Sequence, residues 1–335
     1  MSVSYGGDSI TFADSSTIAS GFTGFKNRVI NGGMDIAQRG NTFTSTSSAN
    51  NDDTYVLDRF YILSDGNDIV DVTQTTTVPT GAKYSIGLDV ETVDKKFGIA
   101  QIIENANCYD AIGGNVTISF QAKVSATANL DNIKCAIVAW SGTADTVTSD
   151  IISAWGVEGT NPTLIANATY ENTPANLGVT TSFATYSVTA NVDTASTSNI
   201  ILFIWSDVTT TALGEFLYIT NVQLEKGSTA TSFEYRSYGA ELALCQRYYE
   251  VLYNSADGAA IWGPYTTSYG YRGTWYFKVQ KRIAASASLA GSSTFTGATP
   301  SIFSGISSAA FFHATTPFYS AGTTDALSLQ ASSEL

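Results

Sequence analysis

The chain has 335 residues, of which 44% are hydrophobic, enough for one large core or two moderate ones. Charged residues make up only 13%, about half the usual quarter of a soluble chain. A formal net charge of −13 with 16 scattered Lys and Arg excludes the clustered basic surface that nucleic acid or an anionic membrane would need.

Ser, Thr, Asn and Gly fill the positions that Lys and Glu normally hold. Such a surface disfavours long solvent-exposed helices and suits strands and turns, so an all-β chain is expected. Residues 1–26 are rich in Gly, Ser and Thr, with a short apolar alternation at Ile10-Thr11-Phe12. They read as a hairpin or arm that cannot bury a core alone and docks on another surface. The opening stretch lacks the basic start and apolar middle of a signal peptide, and no apolar run approaches the roughly 20 residues of a bilayer span. A soluble chain outside the Sec export route is therefore expected.

Residues 27–54 open on Gly and Asn, allow a short helical turn near Met34 to Gln38 and become polar, which reads as a linker. From Tyr55 to Arg236, strand-like runs recur between Gly, Asn and Asp clusters, as in a β-sandwich or jelly roll. The clearest is Val116 to Val124, where apolar residues alternate with Thr117, Ser119, Gln121 and Lys123. Further strands are predicted at 59–63, 69–75, 83–90, 97–103, 133–140, 183–189 and 216–224. The run 200–205 is apolar on both faces and predicts a central strand.

Leu242, Cys245, Tyr249 and Leu252 fall at helical spacing and predict a helix over 237–252. Such a helix either packs on the neighbouring sheet or lines a subunit interface. Residues 253–335 return to β character, notably at 271–280, with too little apolar bulk between 284 and 299 for an independent core; a small C-terminal β tip domain that depends on neighbouring chains follows.

Motifs for chemistry are sparse. Cys108, Cys135 and Cys245 are widely spaced with no CxxC, and read as buried free thiols rather than a disulfide framework. The one histidine, His313, follows Phe311-Phe312 and reads as a strand end near a core. Zinc ligands at close spacing, a GxSxG elbow and phosphate-binding glycine loops are absent from the sequence. No cofactor and no catalytic residue is predicted. Calcium could find oxygen ligands in Asn51-Asp52-Asp53 and Asp65-Gly66-Asn67-Asp68, although no EF-hand spacing is present and solvated turns explain both runs. A glycosidase needs only two carboxylates at a suitable distance, which a sequence does not display, so that option stays open.

Binding chemistry is better represented. Sugars present C–H faces that stack on aromatic rings and hydroxyls that pair with Asn, Asp and Gln, and this chain is 12% aromatic. Trp140 shares a strand face with Lys134, opposite Ile133, Cys135 and Ile137, and is expected to be exposed. Trp155, Trp262, Tyr265 and Tyr269 stand in Gly-rich, loop-like contexts. These five are the candidate glycan contacts, each with the alternative that its ring anchors a loop on its own core.

Asn27-Arg28-Val29-Ile30-Asn31-Gly32-Gly33-Met34-Asp35-Ile36-Ala37-Gln38-Arg39-Gly40, followed by Tyr55-Val56-Leu57-Asp58-Arg59-Phe60, resembles the start of a module of phage tail-fibre and minor structural proteins. Its closing signature is similar to Ile219 through Gly227, Thr231-Ser232-Phe233-Glu234-Tyr235-Arg236 and Glu241 through Glu250. The resemblance brackets residues 27–250. It implies a jelly roll like those of carbohydrate-binding modules, commonly trimeric, exposed on the virion and used in host attachment. Residues 10–17 are similar to N-terminal segments that dock fibres on another virion protein, and Ser333-Glu334-Leu335 resembles endings of the same group. The expectation is a non-enzymatic, receptor-binding tail-fibre homotrimer, made in the host cytoplasm, whose partners are its own copies, a virion protein held through residues 1–26, and host surface polysaccharide. A capsid decoration or head-fibre protein, a polysaccharide depolymerase and, last, a free-standing carbohydrate-binding domain of a cellular protein are the alternatives.

Overall fold

The structure, a computed structural model, describes residues 25–47, 49–253, 271–290, 301–303, 309–314 and 328–335, together with three short N-terminal strands. These are β1 (Ser4–Gly6), β2 (Ser9–Thr11) and β3 (Thr17–Ala19), an antiparallel meander.

The sandwich begins with β4 (Thr42–Phe43), β5 (Tyr61–Ser64), β6 (Val70–Thr75), β7 (Ser85–Val90) and β8 (Phe97–Ile103). After the short helix α1 (Asn105–Cys108) come β9 (Asn115–Val124), β10 (Ile133–Trp140), β11 (Ile152–Ala154), β12 (Thr163–Leu164) and β13 (Ala168–Tyr170). It closes with β14 (Ala184–Asn191), β15 (Asn199–Ser206) and β16 (Phe216–Lys226). A five-stranded sheet in the order β13-β10-β15-β8-β5 faces a six-stranded sheet in the order β14-β9-β16-β7-β6-β4. Every pairing in both sheets is antiparallel. The chain is thus an all-β jelly-roll sandwich, as the sequence predicts.

Alternation explains the core between the sheets. Val116, Ile118, Phe120, Ala122 and Val124 of β9 all face inward, as do Ile86 and Leu88 of β7 in the same sheet, and share one core with Ile200, Leu202 and Ile204 of β15 in the facing sheet. The central strand β15 is also buried on its other face, where Ile201, Phe203 and Trp205 join a second apolar cluster. That cluster is roofed by residues 141–167, which contribute Val147, Ile151 and Trp155. Lys96 pins the roof: its fully buried ammonium donates to the carbonyls of Val157 (2.8 Å) and Thr160 (3.0 Å) and pairs with Asp207 at 2.5 Å. Asp207 also pairs with Lys134 at 2.7 Å and accepts from Gly159 N–H, so its buried charge is satisfied from several directions.

Two expectations are corrected. Residues 27–54 are no linker, because Val29, Met34 and Phe43 are in the main core and Ile30 and Ile36 pack against Cys245 and Tyr248. Polar residues do the rest: Asn27 donates to Val222 O and accepts from Val29 and Leu224 N–H, and Asn31 bonds both ways with the Ile36 backbone. Gly32 lies so close to β16 that a Cβ there would come within 2.0 Å of Val222 O, so only glycine fits. The second correction concerns the predicted helix. Helix α2 (Tyr238–Gln246) stops at Gln246, and β17 (Tyr249–Tyr253) takes over because Tyr249, Val251 and Tyr253 favour a pleated surface.

Beyond α2, strands β18 (Tyr271–Tyr276), β19 (Ser286–Ala290), β20 (Ser301–Phe303), β21 (Ala309–Ala314) and β22 (Ser328–Ser332) form two small sheets, β17-β22-β19 and β18-β21-β20. The end of the chain locks into the sandwich: Glu334 pairs with Arg39 at 3.0 Å and with Arg59, while Tyr55 donates to Leu335 O. Arg59 is itself buried, in a left-handed conformation (φ 70°), with its guanidinium 3.7 Å from the Tyr248 ring centroid.

Candidate functional site

Three of the sandwich's four sheet faces are buried by these layers. The outer face of the six-stranded sheet is buried at one end, where Thr231 and Glu234 bond to Glu225 and Gln223, and is left open among the described residues at the end around Tyr218. Its outward positions would be expected to carry small polar groups, and at the edges they do, with Thr185, Ser187 and Thr189 exposed on β14. At the open end of β16 they do not. Phe216 and Tyr218, outward on β16, are half-buried, with ring centroids 5.3 Å apart and planes 6° from parallel.

Register places their neighbours. Tyr218 lies opposite Gly87 on β7 and Lys123 on β9, and Gly87 in turn opposes Thr73 on β6. A Cβ on Gly87 would come within 3.3 Å of Tyr218 Cε1 and 3.2 Å of Thr73 Oγ1, so the missing side chain is what lets the tyrosine ring lie down on the sheet. Lys123 Nζ sits 5.1 Å from the Tyr218 centroid and 5.4 Å from that of Phe183, just before β14. Thr73, Gly87, Tyr218, Lys123 and Phe183 thus form one row across the sheet, about 19 Å long from four strand spacings of ~4.8 Å.

The adjacent row is acidic. Phe216 opposes Asp89, which opposes Asp71. Burial, with Glu91 and Asp71 nearby, pushes the Asp89 carboxyl up to about 6. Its Oδ1 is buried with no hydrogen-bond partner. Asp71 is also raised, first by burial and then by Glu91 and Asp68, and accepts from Asn50 at 3.0 Å. Tyr218 is raised as well, by burial and by the charge of Asp89. A face with two aromatic rings, a lysine and a carboxyl raised by burial can stack on a sugar's C–H surface, exchange hydrogen bonds with its hydroxyls and meet one charged substituent.

The candidates predicted from sequence do not gather here. Trp140 does share the outer face of its strand with Lys134, yet it is buried beneath residues 141–167 and donates from Nε1 to Thr143 O at 3.1 Å. Alternation gives a residue's face but not what covers that face, so the expected exposure is corrected. Trp155 is buried in the same roof, edge-on to Phe203. Trp262, Tyr265 and Tyr269 lie outside the described residues. Of the interface candidates, Cys245 is buried in the chain's own interior and Leu242 packs beside it. Tyr249 stacks under Arg39 at 3.6 Å, and the Leu252 side chain lies outside the described residues. His313 falls on β21, its side chain likewise outside them.

All three thiols are free and buried. Among the described residues no group of three or more His, Cys, Asp or Glu is placed to hold a metal ion. In the two acidic runs, Asp52 accepts from Ser64 N–H, Asp65 pairs with Lys95 and Asp68 accepts from Asn50.

No protein-family model matches the sequence, and no curated protein matches it either. Among solved structures, the enzymatically active domain of tailspike protein 4 from bacteriophage CBA120 is similar at 18% identity and a TM-score of 0.34, over 60% of this chain and 21% of that one. A putative sugar-binding protein of Bacteroides thetaiotaomicron is similar at 13% identity and a TM-score of 0.35, over 60% of this chain and 100% of that one. A structure of carbohydrate-binding modules from the β-sandwich superfamily is similar at 13% identity and a TM-score of 0.36, over 64% and 71% respectively.

Proposed function

We propose that the chain is a glycan-binding, non-catalytic virion subunit, a tail-fibre component that attaches a phage to host surface polysaccharide. The observation that carries the binding half is the Phe216–Tyr218 pair laid over Gly87 on an open sheet face, with Lys123 and Asp89 at its two sides. The virion half rests on the resemblance of residues 27–250 to fibre modules. A single shallow face of this kind binds weakly, and a homotrimer carried in several copies on one particle would multiply it by effective concentration.

The test is binding of the purified full-length protein to host cells and to extracted surface polysaccharide, beside Tyr218→Ala and Phe216→Ala. Each substitution should weaken binding tenfold or more, equivalent to at least 1.4 kcal/mol, with the melting temperature held within a few degrees. Equal binding by all three proteins would remove this face from the function.

One observation favours a second reading. Asp71 and Asp89 are directly opposed on the same face, and burial holds Asp89 in the range of a general acid. A depolymerase would release reducing ends in the same tubes and lose that activity on Asp89→Asn; an adhesin would release none.

A further inference from the structure

The cations of this chain are largely committed. Lys95, Lys96, Lys134 and Lys281 sit in ion pairs, and Lys26 and Lys226 donate to backbone or hydroxyl oxygens. Lys123, like Lys83 beside the Tyr84 ring, is in no such pair. Among the described residues it has no carboxylate and no hydrogen-bond acceptor, and its ammonium is flanked by two aromatic rings. Its stem lies between Tyr218 and Phe183 on the open face, and the acidic pair Asp71 and Asp89 stands at the far side of Tyr218, on β6 and β7.

A lysine held between rings on a sheet face is poised for two things at once: the rings take the apolar surface of a sugar, and the ammonium takes an anion carried by it. We infer that Lys123 selects a glycan bearing a carboxylate, an acidic sugar whose ring stacks on Tyr218 while its carboxylate pairs with the lysine. This inference rests on the glycan reading of the same face and adds the chemical class of its ligand.

The charge distribution narrows it further. With a net charge of −13, the protein repels a dense polyanion, and Asp71, Asp89 and Glu91 would oppose a second carboxylate two strands from Lys123. The pattern fits a polymer in which acidic sugars alternate with neutral ones. The neutral neighbour would then lie over Phe216, with its hydroxyls toward Asp89, whose Oδ1 has no partner in the chain.

Hyaluronan and glucuronoxylan, each compared with its own carboxyl-reduced form, separate the carboxylate from everything else about the polymer. The full-length protein should bind at least one acidic form roughly tenfold more tightly than its reduced counterpart. Lys123→Met should bring the ratio of acidic to reduced affinity down to about one, whatever it does to each affinity alone, and Lys123→Arg should keep the ratio. Equal binding to acidic and reduced forms, with both lost in Tyr218→Ala, would overturn the acidic class and leave the glycan reading intact. An acid preference that survives Lys123→Met overturns the role of Lys123. Binding to neither form by folded protein, with host polysaccharide also unbound, would overturn the glycan reading and this inference with it.

Discussion

Replacing Glu334 with glutamine takes one negative charge from between two guanidinium groups, and the structure sets what that should cost. The side chains of Arg59 and Glu334 are 2% and 8% exposed, and Arg39 reaches the same carboxylate at 3.0 Å. Among the described residues Glu334 is the only carboxylate paired with either arginine. Removing one partner of a buried pair leaves an uncompensated charge and costs about 3–5 kcal/mol. Glutamine keeps one acceptor oxygen but turns an NH2 donor toward the other guanidinium, so the loss combines the charge with one hydrogen bond. At about 2–4 °C per kcal/mol for a body of this size, the melting temperature should drop by roughly 6–20 °C, with a matching shift in the urea midpoint. Adding Arg59→Met to Glu334→Gln should recover part of the loss, because an apolar side chain needs no counter-charge. A change below about 1 kcal/mol in Glu334→Gln, or further loss in the double variant, would refute the buried-clamp reasoning.

Gly87→Val should fold as well as the parent, since valine suits a strand, yet push the Tyr218 ring off the sheet and weaken polysaccharide binding tenfold or more, read by affinity electrophoresis beside a thermal melt. Thiol reagent at neutral pH should label none of the three cysteines in native protein and all of them in urea: burial pushes Cys108 up to about 12 and raises Cys135 and Cys245 as well. Burial alone would raise Glu104, but hydrogen bonds from Arg247 (2.6 Å) and Tyr248 (2.7 Å) outweigh it and lower its carboxyl. A depressed folded value contributes stability above the unfolded value of about 4.3 and loses it as pH falls through the folded one. Denaturation midpoints should therefore decline below about pH 4.3, and Glu104→Gln should flatten that part of the curve.

Local periodicity made the sandwich legible. Strands β8 and β10 have the predicted limits, most others differ by one or two residues, and the run apolar on both faces is the central strand of its sheet. What covers a face was not legible, since the roof over Trp140 comes from residues 141–167, whose polar, Gly-containing sequence has no period. Residues 27–54 misled for a related reason: Asn27 and Asn31 look like turn residues, and their partners Leu224 and Glu241 stand far along the chain. For the open face the signal did exist. Phe216 and Tyr218 occupy the outward positions of β16 while Leu217 and Ile219 fill the core, so aromatics stand where a solvent face would be polar.

The residues that carry the family resemblance and those that form the open face are different sets, and the difference can be measured. Asn27, Asn31, Asp58, Arg236 and Glu241 spend their polar atoms largely on one another and on nearby backbone, so they hold the seam where the first motif meets the last. Asn27→Ala deletes one donor to Val222 O and one acceptor shared by two buried N–H groups. Left unsatisfied, these groups cost about 1–3 kcal/mol each, so the variant should melt well below the parent. Below its melting point it should still discriminate among polysaccharides as the parent does. Tyr218→Ala should do the reverse, melting near the parent and losing its ligand. If Asn27→Ala changed ligand preference in the folded state, or Tyr218→Ala lowered stability as much as it lowered binding, seam and face would be one structure. Recognition would then have to be sought along the motifs themselves.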